Sequence, residues 1–266
     1  MQPRSKAAPV TLLCAVIAAT PPALAIRFGE PDGDRHPNVG TFVLVAGDRY
    51  FSLCTGTLIA PDVFLTAAHC ADILERNAIP ALVTLDPAVH PTNAPSMIAG
   101  TPFIHPGYDR FATLPDTSDI AVVVLEEPFA GVEPARLPEE GLLEALATRR
   151  GVQDITFTLV GYGNQAFTPP EPQDFDVRYV ARSFLLNLRN AWTDGFNLMT
   201  SNNPGEHLAG GTCFGDSGGP VFLGTSNTVV SVTSFGITRF CNGNDFSYRL
   251  DIPSARAFPD DFVEVP

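Results

Sequence analysis

Ser217 stands among Gly215, Gly218 and Gly219 in the run TCFGDSGGPV, residues 212–221. A core strand gains nothing from a serine that no side chain can pack around. A nucleophile that must meet a bulky substrate gains access. The glycines let the backbone turn sharply and approach a ligand closely. The N–H groups of Gly215 and Ser217 can face the same way and bind an oxyanion. Acyl transfer at a serine needs such donors, a base within hydrogen-bond reach, and a third group that fixes the base's tautomer.

Five histidines compete for the role of base. His36, His90 and His105 each precede a proline in loop-like context, and His207 lies in a polar loop. His69 ends FLTAAHC, directly after a strand pattern and beside Cys70. Ala67 and Ala68 leave room around its ring. Asp119 opens SDIAVVVL, at the mouth of the most apolar strand in the chain, where a carboxylate can be buried and orient a base. His69 and Asp119, each taken alone, read more simply as structural residues. The three together define a Ser–His–Asp constellation.

Short apolar runs between turn signals carry these residues, and long helical patterns are few, which favours an all-β fold. Strands are expected at 41–46, 51–59, 63–66, 81–85, 97–104 and 120–125, with a hairpin turn at Gly47-Asp48 and a turn at Pro61-Asp62. A second set is expected at 155–163, 177–188, 220–223, 229–237 and 246–252. A Pro/Glu-rich connection, 126–141, separates the two halves. Short helices are expected at 142–150 and near the C-terminus, and long polar loops at 164–176 and 200–211. Around six strands in each half point to two small antiparallel barrels, about 26–135 and about 150–255.

The first 25 residues stand apart. Arg4 and Lys6 precede an apolar stretch that ends in Ala23-Leu24-Ala25, the layout of a secretory signal with an A-x-A cleavage site. Without Arg4 and Lys6, 14 basic residues face 29 acidic ones, a net charge of −15. Such a charge argues against nucleic acid and anionic membranes as partners, and it suits solubility outside the cell. Cys54, Cys70, Cys213 and Cys241 remain, an even count that fits two disulfides in any of three connectivities. No pair has C-x2-C spacing, which argues against zinc.

LTAAHC, SDIAVVVL and GDSGGP, in that order, resemble the chymotrypsin/trypsin-like serine proteases. The order His, Asp, Ser is that family's and differs from subtilisins and α/β-hydrolases. FIHPGYD (103–109) and TSFG (233–236) also resemble family segments. The resemblance spans about 40 to 252. It implies two six-stranded β-barrels with the active site in the cleft between them. It implies disulfides Cys54–Cys70 and Cys213–Cys241; bridges common in animal members are missing, which suits a microbial protein. It implies the catalytic triad His69, Asp119 and Ser217, an oxyanion hole at Gly215 and Ser217, and Ser234 as a support for Asp119. Polypeptide substrates and a monomer are expected, with no metal and no cofactor.

Two family features are modified. In the family a freed N-terminus, usually Ile-Val-Gly-Gly, folds inward and pairs with the aspartate before the serine. Here signal cleavage would free Ile26 to pair with Asp216, although Arg27 differs from the small apolar residue expected next. The specificity pocket carries Gly211 at its base, where trypsins have an aspartate, with Thr212, Ser234, Phe235 and Gly236 around it. That favours an apolar or aromatic residue before the scissile bond. Asp245 pointing inward would instead select Arg or Lys, and Phe246 pointing inward would narrow the pocket. The expected function is a secreted serine endopeptidase. The alternatives are an inactive, binding-only relative, which usually lacks a triad member, and an α/β-hydrolase esterase, which would place its histidine last.

Overall fold

A computed structural model describes residues 26–111, 114–147, 155–164, 176–202 and 210–263. The expected signal segment lies outside the described residues, as do most of the 164–176 and 200–211 loops. So do His207 and the last residues of the 142–150 helix.

The first barrel is closed by six antiparallel strands in the order β2-β3-β4-β7-β6-β5. These are β2 (Val39–Ala46), β3 (Arg49–Ala60), β4 (Val63–Thr66), β5 (Ala81–Thr84), β6 (Ile98–Ile104) and β7 (Ala121–Leu125). Bulges between Thr41 and Val43 and between Leu58 and Ala60 break the register. Such bulges bend a strand and let a small barrel close. Phe42, Leu58, Phe64, Leu65, Val83, Val122 and Val123 are fully buried in its core cluster, which covers both faces of β4 and β7. Gly56 has no alternative: a Cβ there would lie 2.4 Å from the Phe64 ring.

The second barrel comprises β8 (Thr156–Gly161), β9 (Tyr179–Asn187), β10 (Asn197–Ser201), β11 (Pro220–Leu223), β12 (Val229–Gly236) and β13 (Asn244–Arg249). Pairing of β8 with β9 closes it. The fold is therefore the pair of six-stranded antiparallel barrels expected from the sequence.

Three elements were not legible as such. The 200–211 loop begins two residues late, because Thr200 and Ser201 belong to β10. Its sequence NLMTS reads as polar, yet Asn197 and Thr200 are buried between neighbouring strands. The helix α1 (Ala68–Arg76) buries Ala68, Ala71 and Leu74 on one side and holds the candidate base in its first turn. The strand β1 (Glu30–Pro31) pairs with β9, so the chain from 26 onward starts on the second barrel rather than on the first. Two further helices, α2 (Leu142–Leu146) and α3 (Pro253–Asp260), complete the elements. The C-terminal helix crosses the other way: Phe258 packs edge-on against His105 at 5.1 Å, and Phe262 meets Phe103 at 5.1 Å. Each barrel thus holds a terminal segment of the other's half.

Buried polar contacts fasten the barrels together. Arg178, at the start of the β9 segment, donates from Nη1 to the carbonyls of Val39 and Leu85 in the first barrel. Its Nε donates to Asp32 Oδ2 at 2.8 Å. The Tyr162 hydroxyl donates to the Asp86 carbonyl at 2.7 Å. No helix among the described residues is long and apolar enough to cross a membrane.

Candidate active site

The cleft between the barrels brings His69, Asp119 and Ser217 into one region. His69 projects from the first turn of α1, and Cys70 beside it is bonded to Cys54 in β3. Asp119 lies just before β7, after Ser118 at φ 45°. The residue is 5% exposed, and its carboxylate accepts three hydrogen bonds. The His69 backbone N–H donates to Oδ1 at 2.9 Å. His69 Nδ1 stands 2.8 Å from Oδ2. The Ser234 hydroxyl, from β12 of the other barrel, donates to the same Oδ2. With Nδ1–H facing a carboxylate, Nε2 is the nitrogen left to act as acceptor.

Charges follow from this packing. Burial works against the Asp119 carboxylate, but the His69 charge and the three donors outweigh it and hold its pKa below the usual range. Burial likewise works against the His69 imidazolium. The Asp119 charge and hydrogen bond, with a smaller contribution from Asp72, outweigh it and raise the His69 pKa.

Ser217 and His69 line a common cavity of about 540 Å3 with Gly215, Thr212, Ser234, Phe235, Gly236 and Asp245. The backbone of the Ser217 turn is strongly constrained. Gly215 and Gly218 have φ of 97° and 82°, which L side chains rarely adopt. A Cβ on Gly218 would sit 2.1 Å from Thr66 Oγ1. The Phe214 carbonyl accepts from the Asn164 N–H at 2.7 Å. Because the peptide unit is planar and trans, the Gly215 N–H must point the opposite way. Among the described residues, neither the Gly215 nor the Ser217 N–H has an acceptor. Two free donors beside a serine can stabilise a developing oxyanion.

The pocket wall is decided by the pairing of β12 with β13. Asp245 pairs with Gly236 and Phe246 with Phe235. Successive residues of a strand face opposite sides. Asp245 lines the cavity, while Phe246 stacks on Phe235 at 4.8 Å and on Trp192 at 6.2 Å, away from it. The Asp245 carboxylate accepts from the Asn202 amide at 2.8 Å and the Thr212 N–H at 2.6 Å. Burial pushes its pKa up to about 6, although these donors and the nearby Arg27 charge favour the anion. Gly211, expected at the base of the pocket, does not line this cavity: the place a Cβ would take there is filled by Asn202, whose Oδ1 would lie 2.1 Å from it.

Ile26 is fully buried among Leu143, Phe157, Leu159 and Val221. Arg27 is accommodated because its backbone, not its side chain, makes the inward contact. Its carbonyl accepts from the Gly211 N–H at 3.1 Å, and its guanidinium turns out to the Phe240 and Cys241 carbonyls. Asp216 is buried and accepts from the N–H groups of Gly163 and Cys213, each at 2.8 Å. No cationic nitrogen lies within ion-pair distance among the described residues, and burial pushes its pKa up to about 8.

The cysteines pair as Cys54–Cys70 and Cys213–Cys241. Cys54, His69 and Cys70 also form the one group of potential metal-ligating side chains found close together among the described residues. Two of its three ligand atoms are spent in a disulfide, so the group does not make a metal site. Sequence reading missed Thr55, Asn202, Thr238 and Asn242 near the cleft. A threonine or asparagine in a strand or loop carries no signal until its neighbours are known.

Comparison with known proteins agrees with this geometry. Residues 32–257 match the family described as Trypsin. The chain is 30% identical to brachyurin from Leptuca pugilator over 213 residues, covering 74% of this chain and 81% of that protein. It is 27% identical to a trypsin from Saccharopolyspora erythraea, covering 76% and 82%. Among solved structures, a collagenase superposes with a TM-score of 0.65 at 19% identity, covering 91% of this chain and 100% of that one.

Proposed function

Since the chain belongs to the trypsin family of serine endopeptidases, we propose that Ser217, His69 and Asp119 are its catalytic triad. Ser217 Oγ attacks the scissile carbonyl as His69 Nε2 takes its proton. Asp119 holds the imidazole and stabilises its charged form. The N–H groups of Gly215 and Ser217 hold the oxyanion. His69 returns the proton to the leaving amine, and water repeats the sequence on the acyl-enzyme. The observation that carries this reading is the Asp119–His69 pair beside a serine whose neighbouring N–H groups have no acceptor. The same observation favours catalysis over a binding-only role.

The cavity fits one large side chain before the scissile bond. Gly236, which lines the cavity without a side chain, leaves space for an apolar or aromatic one. The Asp245 carboxylate in the same wall makes Arg or Lys the better fit near neutral pH. A carboxylate has about four acceptor positions, and the Asn202 amide with the Thr212 N–H and side chain occupy three. A cationic substrate would supply the missing counter-charge.

Residues 1–25 are read as a secretory signal whose removal frees Ile26. The buried Ile26 and the cation-free Asp216 support an ammonium–carboxylate pair in the mature enzyme. We read the enzyme as a secreted monomer acting on polypeptides outside the cell, a setting that suits its two disulfides. The test is a fluorophosphonate label read by intact mass, with Ser217→Ala alongside. One adduct on a chain beginning at Ile26, absent from the variant, is expected. A wild-type enzyme that hydrolyses peptides without taking the label would overturn the assignment.

A further inference from the structure

Thr55 lies in β3 of the first barrel, fully buried, next to the disulfide-bonded Cys54. It is the point at which that barrel grips the turn carrying the oxyanion donors. Its N–H donates to the Ser217 carbonyl at 2.9 Å. Its hydroxyl donates to the Gly215 carbonyl at 2.8 Å. That hydroxyl accepts from the Tyr162 N–H at 3.1 Å, which directs its single proton at Gly215. Its own carbonyl accepts from Thr66 Oγ1 at 2.8 Å, so the residue cannot drift. Thr55 is thereby inserted between the end of β8 and the 215–217 turn, and it touches both carbonyls whose residues supply the free N–H groups.

We infer that the Thr55 hydroxyl is a positioning group for the oxyanion hole, acting from the opposite barrel. The inference rests on the assignment of Gly215 and Ser217 as oxyanion donors. Asp216 secures the turn from inside the second barrel through Gly163 and Cys213. Thr55 secures it from the other side of the cleft, through carbonyls that Asp216 does not touch. Fixing the Gly215 carbonyl limits rotation on one side of that residue, as Asn164 limits it on the other through Phe214. A hole held at both ends requires no reorganisation when charge develops.

The test compares Thr55→Ser with Thr55→Ala, which differ in the hydroxyl alone, and adds Thr55→Val. A single peptide amide gives kcat and KM, and a peptidyl aldehyde, whose adduct places an oxyanion in the hole, gives an inhibition constant. The expected result is a kcat lower by roughly 10- to 100-fold in Ala and Val, with KM changed by less than about threefold. Aldehyde affinity should weaken in parallel, and Ser should restore both. Stability lost through the missing methyl is common to Ser and Ala and cancels between them. Ala matching Ser in kcat, or a lower kcat with unchanged aldehyde affinity, overturns the inference. If the wild type is labelled at Ser217 and active, that failure concerns Thr55 alone. If the wild type takes no label, the reading of the site fails first, and this inference with it.

Discussion

Asp119 holds His69 at two points: Oδ1 accepts the residue's backbone N–H at 2.9 Å, while Oδ2 stands 2.8 Å from ring Nδ1. Backbone and ring are thus fixed by one carboxylate, and Ser234 fixes the carboxylate in turn. Asp119→Asn keeps the shape but can favour the wrong tautomer, so kcat should fall by about 10⁴-fold. The pH profile provides a second readout. His69 must be neutral to act as base, so activity should rise with pH along a limb set above the ordinary histidine pKa of about 6.5. The sign for stability is opposite. The His69–Asp119 pair should contribute fully at low pH, until Asp119 protonates, and lose its effect as pH rises through the raised His69 pKa. Kinetic profiles of both forms test this: the Asn variant should show the limb at lower pH, and an unmoved limb would contradict the electrostatic account.

Asp245 gives a prediction that separates the pocket from the catalytic base. The ratio of kcat/KM for an Arg substrate to that for a Phe substrate cancels His69, because both reactions use it. That ratio should climb as pH passes through about 6, where Asp245 ionises. Asp245→Asn should flatten the ratio and lower its value at pH 8 by about 10²-fold, the loss of one buried charge pair. A ratio that favours Phe at every pH would restore the apolar pocket suggested by Gly211.

The sequence showed the barrels because strands buried on both faces, such as β4 and β7, read as short continuous apolar runs bounded by turn signals. It pointed to the proposed triad because GDSGGP has few structural uses. It did not show β10, since Asn197 and Thr200 are buried where the pattern demands apolar residues, and tertiary contacts override propensity. The pocket was left open between Asp245 and Phe246, because a shift of one residue exchanges the faces of a strand. Pairing with Gly236 and Phe235 settles that register, and no local pattern encodes it.

Asp216 makes the proposed N-terminal pair testable through stability. An aspartate at about 8 in the folded chain favours its protonated form. Without a cation, its contribution is present below about pH 4 and lost as pH rises through about 8. The Ile26 ammonium should reverse that sign and hold Asp216 ionised. Thermal unfolding of a form beginning at Ile26 should therefore show a smaller loss of stability between pH 6 and 8 than a form with one residue added before it. The added residue should also abolish most activity. Equal activity in the two forms would remove Ile26 from the mechanism.

Arg178 and Asp32 form a buried ion pair, 1% and 2% exposed, that joins the N-terminal segment to both barrels. Losing Arg178 takes its guanidinium from the buried Asp32 carboxylate but leaves the His36 ring and N–H on it, so the cost of about 3–5 kcal/mol typical for a fully stranded charge is an upper bound. Arg178→Met should therefore unfold at markedly lower denaturant. Burial opposes the Asp32 carboxylate, but His36 and Arg178 more than compensate and lower its pKa. The stabilisation it provides is thus present above about pH 4 and lost as pH falls through the depressed value. The variant's deficit relative to wild type should shrink in acid for the same reason. Replacing both residues by apolar ones, Asp32→Leu with Arg178→Met, should recover much of the loss at neutral pH, since no charge is then stranded. Denaturation curves of the two singles and the double supply the coupling directly. Additive losses would mean that the carbonyls of Val39, Leu85 and Gly33, rather than Asp32, are what Arg178 chiefly serves.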